Sequence, residues 1–110
     1  MMSSTRDQAA QDALLACYER ISRVSERMVE VAAHADWSTL AEGEALCAEL
    51  IRQLKEVGDP DSTLDAAGRA RRFEILRRIL ADDARIREYT QPRIARLDAY
   101  IGIRSRRTGR

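Results

Sequence analysis

The sequence predicts an all-α protein, an antiparallel helical bundle of three main helices with a long third helix. Apolar side chains recur every three or four residues along most of the chain, which is the period of an amphipathic helix. Glycine and proline are also scarce, with five and two residues among 110, so little material is left for the turns of a sheet. A chain of this length forms one unit, and we treat residues 1–110 as a single helical domain.

Helix 1 is predicted over about residues 6–34, after an N-terminus of about residues 1–5 that we expect to be disordered. Its apolar stripe has the heptad spacing of a coiled-coil seam, in which two core positions alternate. The stripe comprises Leu14, Cys17, Tyr18, Ile21, Val24, Met28, Val31 and Ala35. Helix 1 should therefore pack along its whole length against a neighbouring helix.

A sharp corner should follow helix 1, at the motif Asp36-Trp37-x-x-Leu40-x-x-x-Glu44. Either Asp36 or Ser38 can cap the second helix, and Trp37, the only tryptophan, should pack at the corner. Glu44 falls on the apolar stripe of helix 2. It lies either at the rim, with its carboxylate in water, or inside against an arginine of helix 3. We favour a structural ion pair over a functional role for Glu44, and we expect it to form at most one ion pair.

Helix 2 should run from the corner to Val57, because Gly58 and Pro60 then terminate it. Helix 3 starts at Ser62 or Thr63, or later, near Arg69, since Gly68 weakens the first turn. Its apolar positions are Phe73, Leu76, Ile79, Leu80, Ile86, Ile94, Leu97 and Ile101. We expect a kink at Pro92, an end at Gly102, and a disordered arginine-rich tail over 103–110.

The third helix is predicted to be nearly twice as long as the second, so its last turns should overhang the hairpin. Ile86, Tyr89, Ile94, Leu97 and Ile101 would then lack a partner within the chain. Three unequal helices leave an apolar groove between helices 2 and 3, which could hold a partner helix or a second copy in a homodimer. The candidate lining residues are Leu46, Leu50, Leu54, Leu76, Ile79 and Ile86.

The sequence predicts no catalytic, cofactor-binding or metal site. The single histidine, His34, falls at the end of a helix, and the five glycines are too scattered for a phosphate-binding loop. Asp82 and Asp83 are adjacent, so they point to different sides of a helix and should form surface ion pairs with nearby arginines. The arginines of helix 3 should face solvent.

Charge is unevenly distributed along the chain. Residues 1–57 contain 6 basic and 10 acidic side chains, and residues 58–110 contain 13 and 8, so the net charges are −4 and +5. The two ends could bind different partners, or the helices could pair with each other electrostatically.

The N-terminus and the hydropathy favour a cytoplasmic protein. There is no signal-peptide pattern and no run of about 20 apolar residues. Cys17 and Cys47 lack metal-site spacing and should be reduced. The tail arginines have no aromatic residues beside them, so nucleic-acid binding is not predicted.

From about Leu14 to Gly102 the chain resembles the flagellar export chaperone FliT family. The resemblance rests on Tyr18, on the corner motif, on the third-helix pattern Arg72-x-x-x-Leu76-x-x-Ile79-Leu80-x-x-Asp83-x-x-Ile86, on Arg93-x-x-x-Leu97 and on Ile101-Gly102. It implies a cytoplasmic chaperone for flagellar type III secretion that binds the C-terminal segment of the filament-cap protein FliD. It also implies delivery of that client to export-gate and ATPase components.

Some members of the family also restrain the flagellar master regulator, and members with a fourth C-terminal helix use it to cover the client groove. This chain ends soon after Gly102 with an arginine-rich tail, so we do not extend autoinhibition or master-regulator binding to it. The sequence is also compatible with two other classes of protein. A homo-oligomeric coiled-coil adaptor would bury the overhang by self-association, whereas a small helical mutase-like enzyme would gather several arginines around Glu44.

Overall fold

Residues 4–108 fold into four helices: α1 (Ser4–Ala33), α2 (Trp37–Val57), α3 (Pro60–Thr63) and α4 (Ala66–Thr108). The computed structural model describes residues 4–108, and it describes side chains over residues 7–90. That range contains no strand, so the all-α prediction is confirmed. The three main helices are those predicted, and the fourth element is a single turn between α2 and α4. None of the described helices combines the length and apolar character that a membrane span needs.

The one-turn helix α3 occupies the segment that we expected only to terminate α2. Pro60 suits the first position of a helix, where its fixed φ is already helical and no amide donor is needed. The Asp59 side chain caps the turn by accepting a hydrogen bond from the Asp61 amide at 3.3 Å. Leu64 follows in an extended conformation and is buried, so the turn directs this leucine into the core.

The long helix begins at a cap that the sequence interpretation missed. The predicted starts, at Ser62 or Thr63 or near Arg69, were wrong, because Asp65 caps the helix. Its Oδ1 accepts a hydrogen bond from the backbone amide of Gly68 at 2.7 Å. Gly68 is buried within the first turn, so it does not delay the helix.

The predicted stop at Gly102 was also wrong, because α4 continues through Pro92 and Gly102 to Thr108. The tail predicted over 103–110 therefore begins inside the helix, and residues 109 and 110 lie outside the described part of the chain. We expected Ile94, Leu97 and Ile101 in the overhang, and their side chains lie outside the range over which side chains are described.

Helix α1 is the central element, packing against both α2 and α4. Consecutive main helices run antiparallel, as predicted, so α1 and α4 run parallel. Side-chain contacts follow in the same order along both: Gln11 bonds to Asp65, and Tyr18 bonds to Arg72. Because the two helices start at the same end, the far end of α4 extends beyond the corner. Thr108 is 18 residues beyond Thr90, or about 27 Å at the rise of an α-helix.

Helix α1 buries a wider face than the predicted heptad stripe. Leu14, Cys17, Tyr18, Ile21 and Met28 are buried as expected, but Ala35 lies outside the helix, exposed, with φ 56°. A second stripe runs through Tyr18 and is also buried; the members that the prediction omitted are Gln11, Ser22, Ser25, Val29 and Ala32. Two buried stripes are needed because α1 contacts two helices, and the polar residues in the second stripe hid it from the apolar pattern.

Two clusters form the core. The base cluster, at the end where α4 begins, contains Leu14, Tyr18, Leu64 and Ile75, with Leu54, Leu76 and Ile79 packed against it. The corner cluster contains Met28, Val29, Ala32, Leu40 and Ile86, with Trp37 and Cys47 beside it. Ile86 is 8% exposed, so the expectation that it lacks a partner within the chain was wrong. It closes the core at the corner.

Candidate functional site

The hairpin corner is built by the residues of the sequence motif. Asp36 is the N-cap of α2, and its carboxylate accepts hydrogen bonds from the Thr39 hydroxyl at 2.7 Å and the Thr39 amide at 3.2 Å. These bonds hold the pKa of Asp36 below its usual value. Trp37 is half-buried and packs against the corner cluster, which also contains Leu40. All these contacts fix the turn between two helices.

Glu44 lies exposed on α2 and forms no ion pair within the part of the chain whose side chains are described. Of the two positions considered, the structure shows the rim, so Glu44 is not buried against an arginine of the third helix. Its negative charge, together with burial, contributes to raising the pKa of the Cys47 thiol, burial being the larger effect. Glu44 is therefore a solvated charge at the edge of the bundle.

Two arginines of α4 are not solvent-facing, contrary to expectation. Arg72 donates a hydrogen bond from Nε to the Tyr18 hydroxyl at 2.8 Å, and Arg71 pairs with Glu19. Both join α4 to α1 near the base cluster. Asp83 forms the predicted kind of surface ion pair, at 2.8 Å from Arg87. Described residues include no group of three acidic, histidine or cysteine side chains suited to a metal ion.

The structure separates the six residues that we expected to line one groove. Leu50 and Ile86 are 3% and 8% exposed, so they belong to the core and have almost no surface to offer a partner. Leu54, Leu76 and Ile79 are half-buried at the edge of the base cluster. Leu46 is 47% exposed but lies apart from them, in a pocket between α1 and α2. Only the three half-buried residues lie together.

An exposed apolar face on α4 continues outward from these three residues. Phe73, Leu76 and Leu80 have the i, i+3, i+7 spacing that places side chains on one side of a helix. Leu76 packs at the edge of the base cluster, while Phe73 and Leu80 are 65% and 67% exposed. We call these three residues the α4 apolar face. Large apolar side chains this exposed, two turns apart on one side of a helix, are typical of a surface that binds a partner.

Sequence reasoning identified Phe73 and Leu80 as apolar positions but did not include them in the groove. Their spacing relative to Leu76 was available in the sequence. The exposure was not, because it depends on where α1 contacts α4: Ile75, beside Leu76, is fully buried and sets that contact. Once Ile75 is known to face α1, helical geometry places Phe73 and Leu80 on the side of α4 that is turned away from α1.

Comparisons of the sequence and of the structure with known proteins all find flagellar protein FliT. The sequence profile described as "Flagellar protein FliT" matches residues 15–107. Two curated proteins named flagellar protein FliT, from Pectobacterium carotovorum and Pectobacterium atrosepticum, are each 25% identical over 89 residues, which is 81% of this chain and 70% of theirs. The crystal structure of flagellar protein FliT from Bordetella bronchiseptica superimposes with a TM-score of 0.67 and 30% identity, covering 79% of this chain and 98% of that one.

Proposed function

The chain belongs to the FliT family of flagellar proteins, and from this we propose that it is a cytoplasmic export chaperone for flagellar type III secretion, without enzymatic activity. Its client would be the filament-cap protein FliD, bound through the client's C-terminal segment and delivered to export-gate and ATPase components. The observation that carries the proposal is the exposure of the α4 apolar face, which in a member of this family is a suitable surface for a client.

The chemistry of that face suits an amphipathic helix. Such a helix places apolar anchors three or four residues apart, and the side chains of Phe73, Leu76 and Leu80 offer the same spacing. Leu54 and Ile79, half-buried in the base cluster, extend the apolar surface toward α2 and α1. Phe73 and Leu80 stay exposed to water in the folded protein, and client binding would cover them.

The test is binding of the FliD C-terminal segment to the full chain, measured by isothermal titration calorimetry. Phe73→Asp and Leu80→Asp should each weaken binding by at least about tenfold, because a buried unpaired carboxylate opposes the contact. Both residues are exposed in the free protein, so the unfolding free energy should stay near that of the wild type. Leu50→Asp is unsuitable, since Leu50 is in the core and the variant should unfold.

Leu46→Asp is the matched control, because Leu46 is exposed but lies in the α1–α2 pocket. This variant should bind the client as the wild type does. If neither the segment nor full-length FliD binds the wild type, the chaperone proposal fails. If Leu46→Asp weakens binding while Phe73→Asp and Leu80→Asp do not, the client occupies another surface.

The homo-oligomeric adaptor is the second candidate, since the α4 apolar face could also be buried between two copies of the chain. Light scattering separates the two: the adaptor predicts a wild-type oligomer that Phe73→Asp converts to monomer, with no client binding. The mutase-like enzyme has no support in the arginine positions, because Arg71 and Arg72 contact α1 and not Glu44. Glu44→Gln should leave client binding intact and change the unfolding free energy by less than about 0.5 kcal/mol.

A further inference from the structure

A second apolar surface lies between α1 and α2. It is a pocket of about 390 Å³ with an apolar floor formed by Val24, Met28, Val31 and Leu46. All its lining residues belong to α1 and α2, so it is separate from the α4 apolar face. From Arg23 to Val31 its α1 wall covers nine residues, and the eight steps between them span about 12 Å or two helical turns.

Gly43 shapes one wall of this pocket. A Cβ at this position would lie 2.7 Å from Met28 Cγ, closer than carbon atoms can approach. The absence of a side chain therefore lets Met28 lie directly against the backbone of α2, where its thioether also accepts a hydrogen bond from the Cys47 thiol at 3.8 Å. Met28 is thereby held at the bottom of the pocket, and the space above it stays open to solvent.

Charge at the rim is unbalanced. Arg23 and Arg27 stand one turn apart on the α1 wall, and both are exposed. Neither forms an ion pair with any residue whose side chain is described, whereas Arg52, Arg71 and Arg87 all do. The α2 wall contributes one acidic residue, Glu42. Glu26 and Glu30 line a neighbouring opening that shares Arg23, Arg27 and Val31 with this pocket, but they do not line the pocket itself. Two uncommitted guanidinium groups beside an apolar floor are suited to a ligand that carries both carboxylates and apolar groups.

We propose that the α1–α2 pocket binds an acidic amphipathic helix of a second protein partner, at the same time as the α4 apolar face holds the client. One or two apolar anchors of that helix occupy the floor between Val24 and Leu46. Its carboxylates pair with Arg23 and Arg27, and Glu42 repels any acidic group on the α2 side, which fixes the orientation. A shallow opening that follows two helices over two turns matches a helix better than a compact small molecule.

The probe is a synthetic helical peptide of about 15 residues, with leucines at i, i+3 and i+7 flanked by glutamates on one side. A second peptide has lysine in place of every glutamate. Each is titrated into the isotopically labelled full chain and followed by amide chemical shifts. The glutamate peptide should bind and perturb amides of Arg23–Val31 and Thr39–Leu46, while the lysine peptide should bind at least about tenfold more weakly.

Variants then test the charge pattern. The double variant Arg23→Glu/Arg27→Glu should lower the affinity for the glutamate peptide by at least about tenfold, and it should bind the lysine peptide more tightly than the glutamate peptide. Glu42→Gln should raise the affinity for the glutamate peptide about two- to threefold. The matched control is Arg77→Glu/Arg78→Glu, which makes the same charge change at exposed positions on α4 and should leave the affinity within about twofold.

The proposal is overturned if the glutamate peptide does not bind, if both peptides bind equally, or if the shifts cluster around Phe73 and Leu80 instead. It is also overturned if the Arg77/Arg78 variant weakens the peptide as much as the Arg23/Arg27 variant does. These results are independent of the client experiment: failure of FliD to bind would remove the proposed function and leave the pocket result unchanged.

Discussion

Arg72 binds Tyr18 in two ways. Its Nε donates a hydrogen bond to the Tyr18 hydroxyl at 2.8 Å, and its guanidinium carbon lies 5.2 Å from the centre of the Tyr18 ring. The ring is only 4% exposed, so its hydroxyl needs a partner inside the bundle. This contact joins α1 to α4 at the base cluster, where Ile75 is fully buried beside it.

Replacing Tyr18 with Phe should lower the unfolding free energy by about 1 kcal/mol, because the ring stays buried while one hydrogen bond is lost. Tyr18→Ala should cost about 3–5 kcal/mol, since it also creates a cavity. Urea denaturation followed by circular dichroism measures both. Tyr89→Phe is the control, because Tyr89 is 40% exposed, and it should match the wild type. A Tyr18→Phe variant as stable as the wild type would contradict the role of this hydrogen bond.

Gly68→Ala should destabilise the protein, although alanine favours helices by about 1 kcal/mol over glycine. A Cβ on residue 68 would overlap Gln11 Oε1 and lie 3.0 Å from Gln11 Cδ. Gln11 is buried, and its Oε1 accepts a hydrogen bond from the Asp65 amide at 2.9 Å. Displacing it should cost about 1–2 kcal/mol net in urea denaturation.

The Gly68 effect can be assigned to Gln11 by a double-mutant cycle. In a Gln11→Ala background the overlap with Gln11 is removed and the 3.2 Å approach to Leu64 Cδ2 is left, so Gly68→Ala should there be close to neutral. Ala67→Gly, at the neighbouring exposed position, should show only the propensity cost of about 1 kcal/mol. Simple additivity of the Gln11 and Gly68 changes would contradict the explanation.

Asp82→Asn should stabilise the protein near neutral pH. Burial, and then the nearby charge of Glu26, raise the pKa of Asp82 in the folded protein. A raised folded-state pKa means that the native state binds the proton more tightly than the unfolded chain. The wild type therefore loses stability as pH rises from the unfolded value of 3.8 through the folded value. The unfolding free energy of the variant should exceed that of the wild type at pH 7, and the difference should disappear below about pH 3.8.

The control for that pH series is Asp65→Asn, for which the opposite sign is expected. Hydrogen bonds from the Gly68 amide and the Gln11 side chain hold the pKa of Asp65 below 3.8. Its ionised form therefore stabilises the native state above that pH, and the contribution is lost as pH falls through the folded-state pKa. Thermal unfolding of both variants from pH 3 to pH 7 measures the two trends, and parallel trends would contradict both assignments.

A chain ending at Thr90 should keep the cooperative unfolding transition of the full chain. Among the residues whose side chains are described, the members of both core clusters lie between Leu14 and Ile86. Removal of residues 91–110 should therefore shift the urea midpoint little, while reducing the helical signal in circular dichroism. A marked fall in the midpoint would show that the end of α4 contributes to the core.

The sequence predicted helices well where a local signal was unambiguous. Apolar spacing predicted the extent of α1, and the start of α2 was predicted to within two residues, because both candidate caps, Asp36 and Ser38, lie at the corner and a cap acts within three residues of its own position. Asp65 caps α4 in the same way, but the sequence offered Ser62 and Thr63 as competing caps a few residues earlier. The choice between them depends on Gln11, which is 54 residues away and bonds to Asp65.

The candidate surface was harder to predict, for a geometric reason. Periodicity shows which residues share a helix face, but it does not show which neighbouring helix that face contacts. Leu46 and Leu50 are one turn apart on α2, yet one lines the α1–α2 pocket and the other is buried. The polar residues Ser22 and Ser25 are buried in α1, so the contact between α1 and α4 could not be located from apolar residues alone.

The central position of α1 has a consequence for the order of folding. Contacts between α1 and α2 join neighbours around one tight corner, whereas Gln11–Asp65 and Tyr18–Arg72 each join residues 54 apart. Closing the shorter loop costs less entropy, so the α1–α2 hairpin should form first and α4 should dock late. Ile75→Val, in the α4 half of the base cluster, should then mainly accelerate unfolding and leave the folding rate nearly unchanged. Docking and release of α4 would thus set the lifetime of the native state.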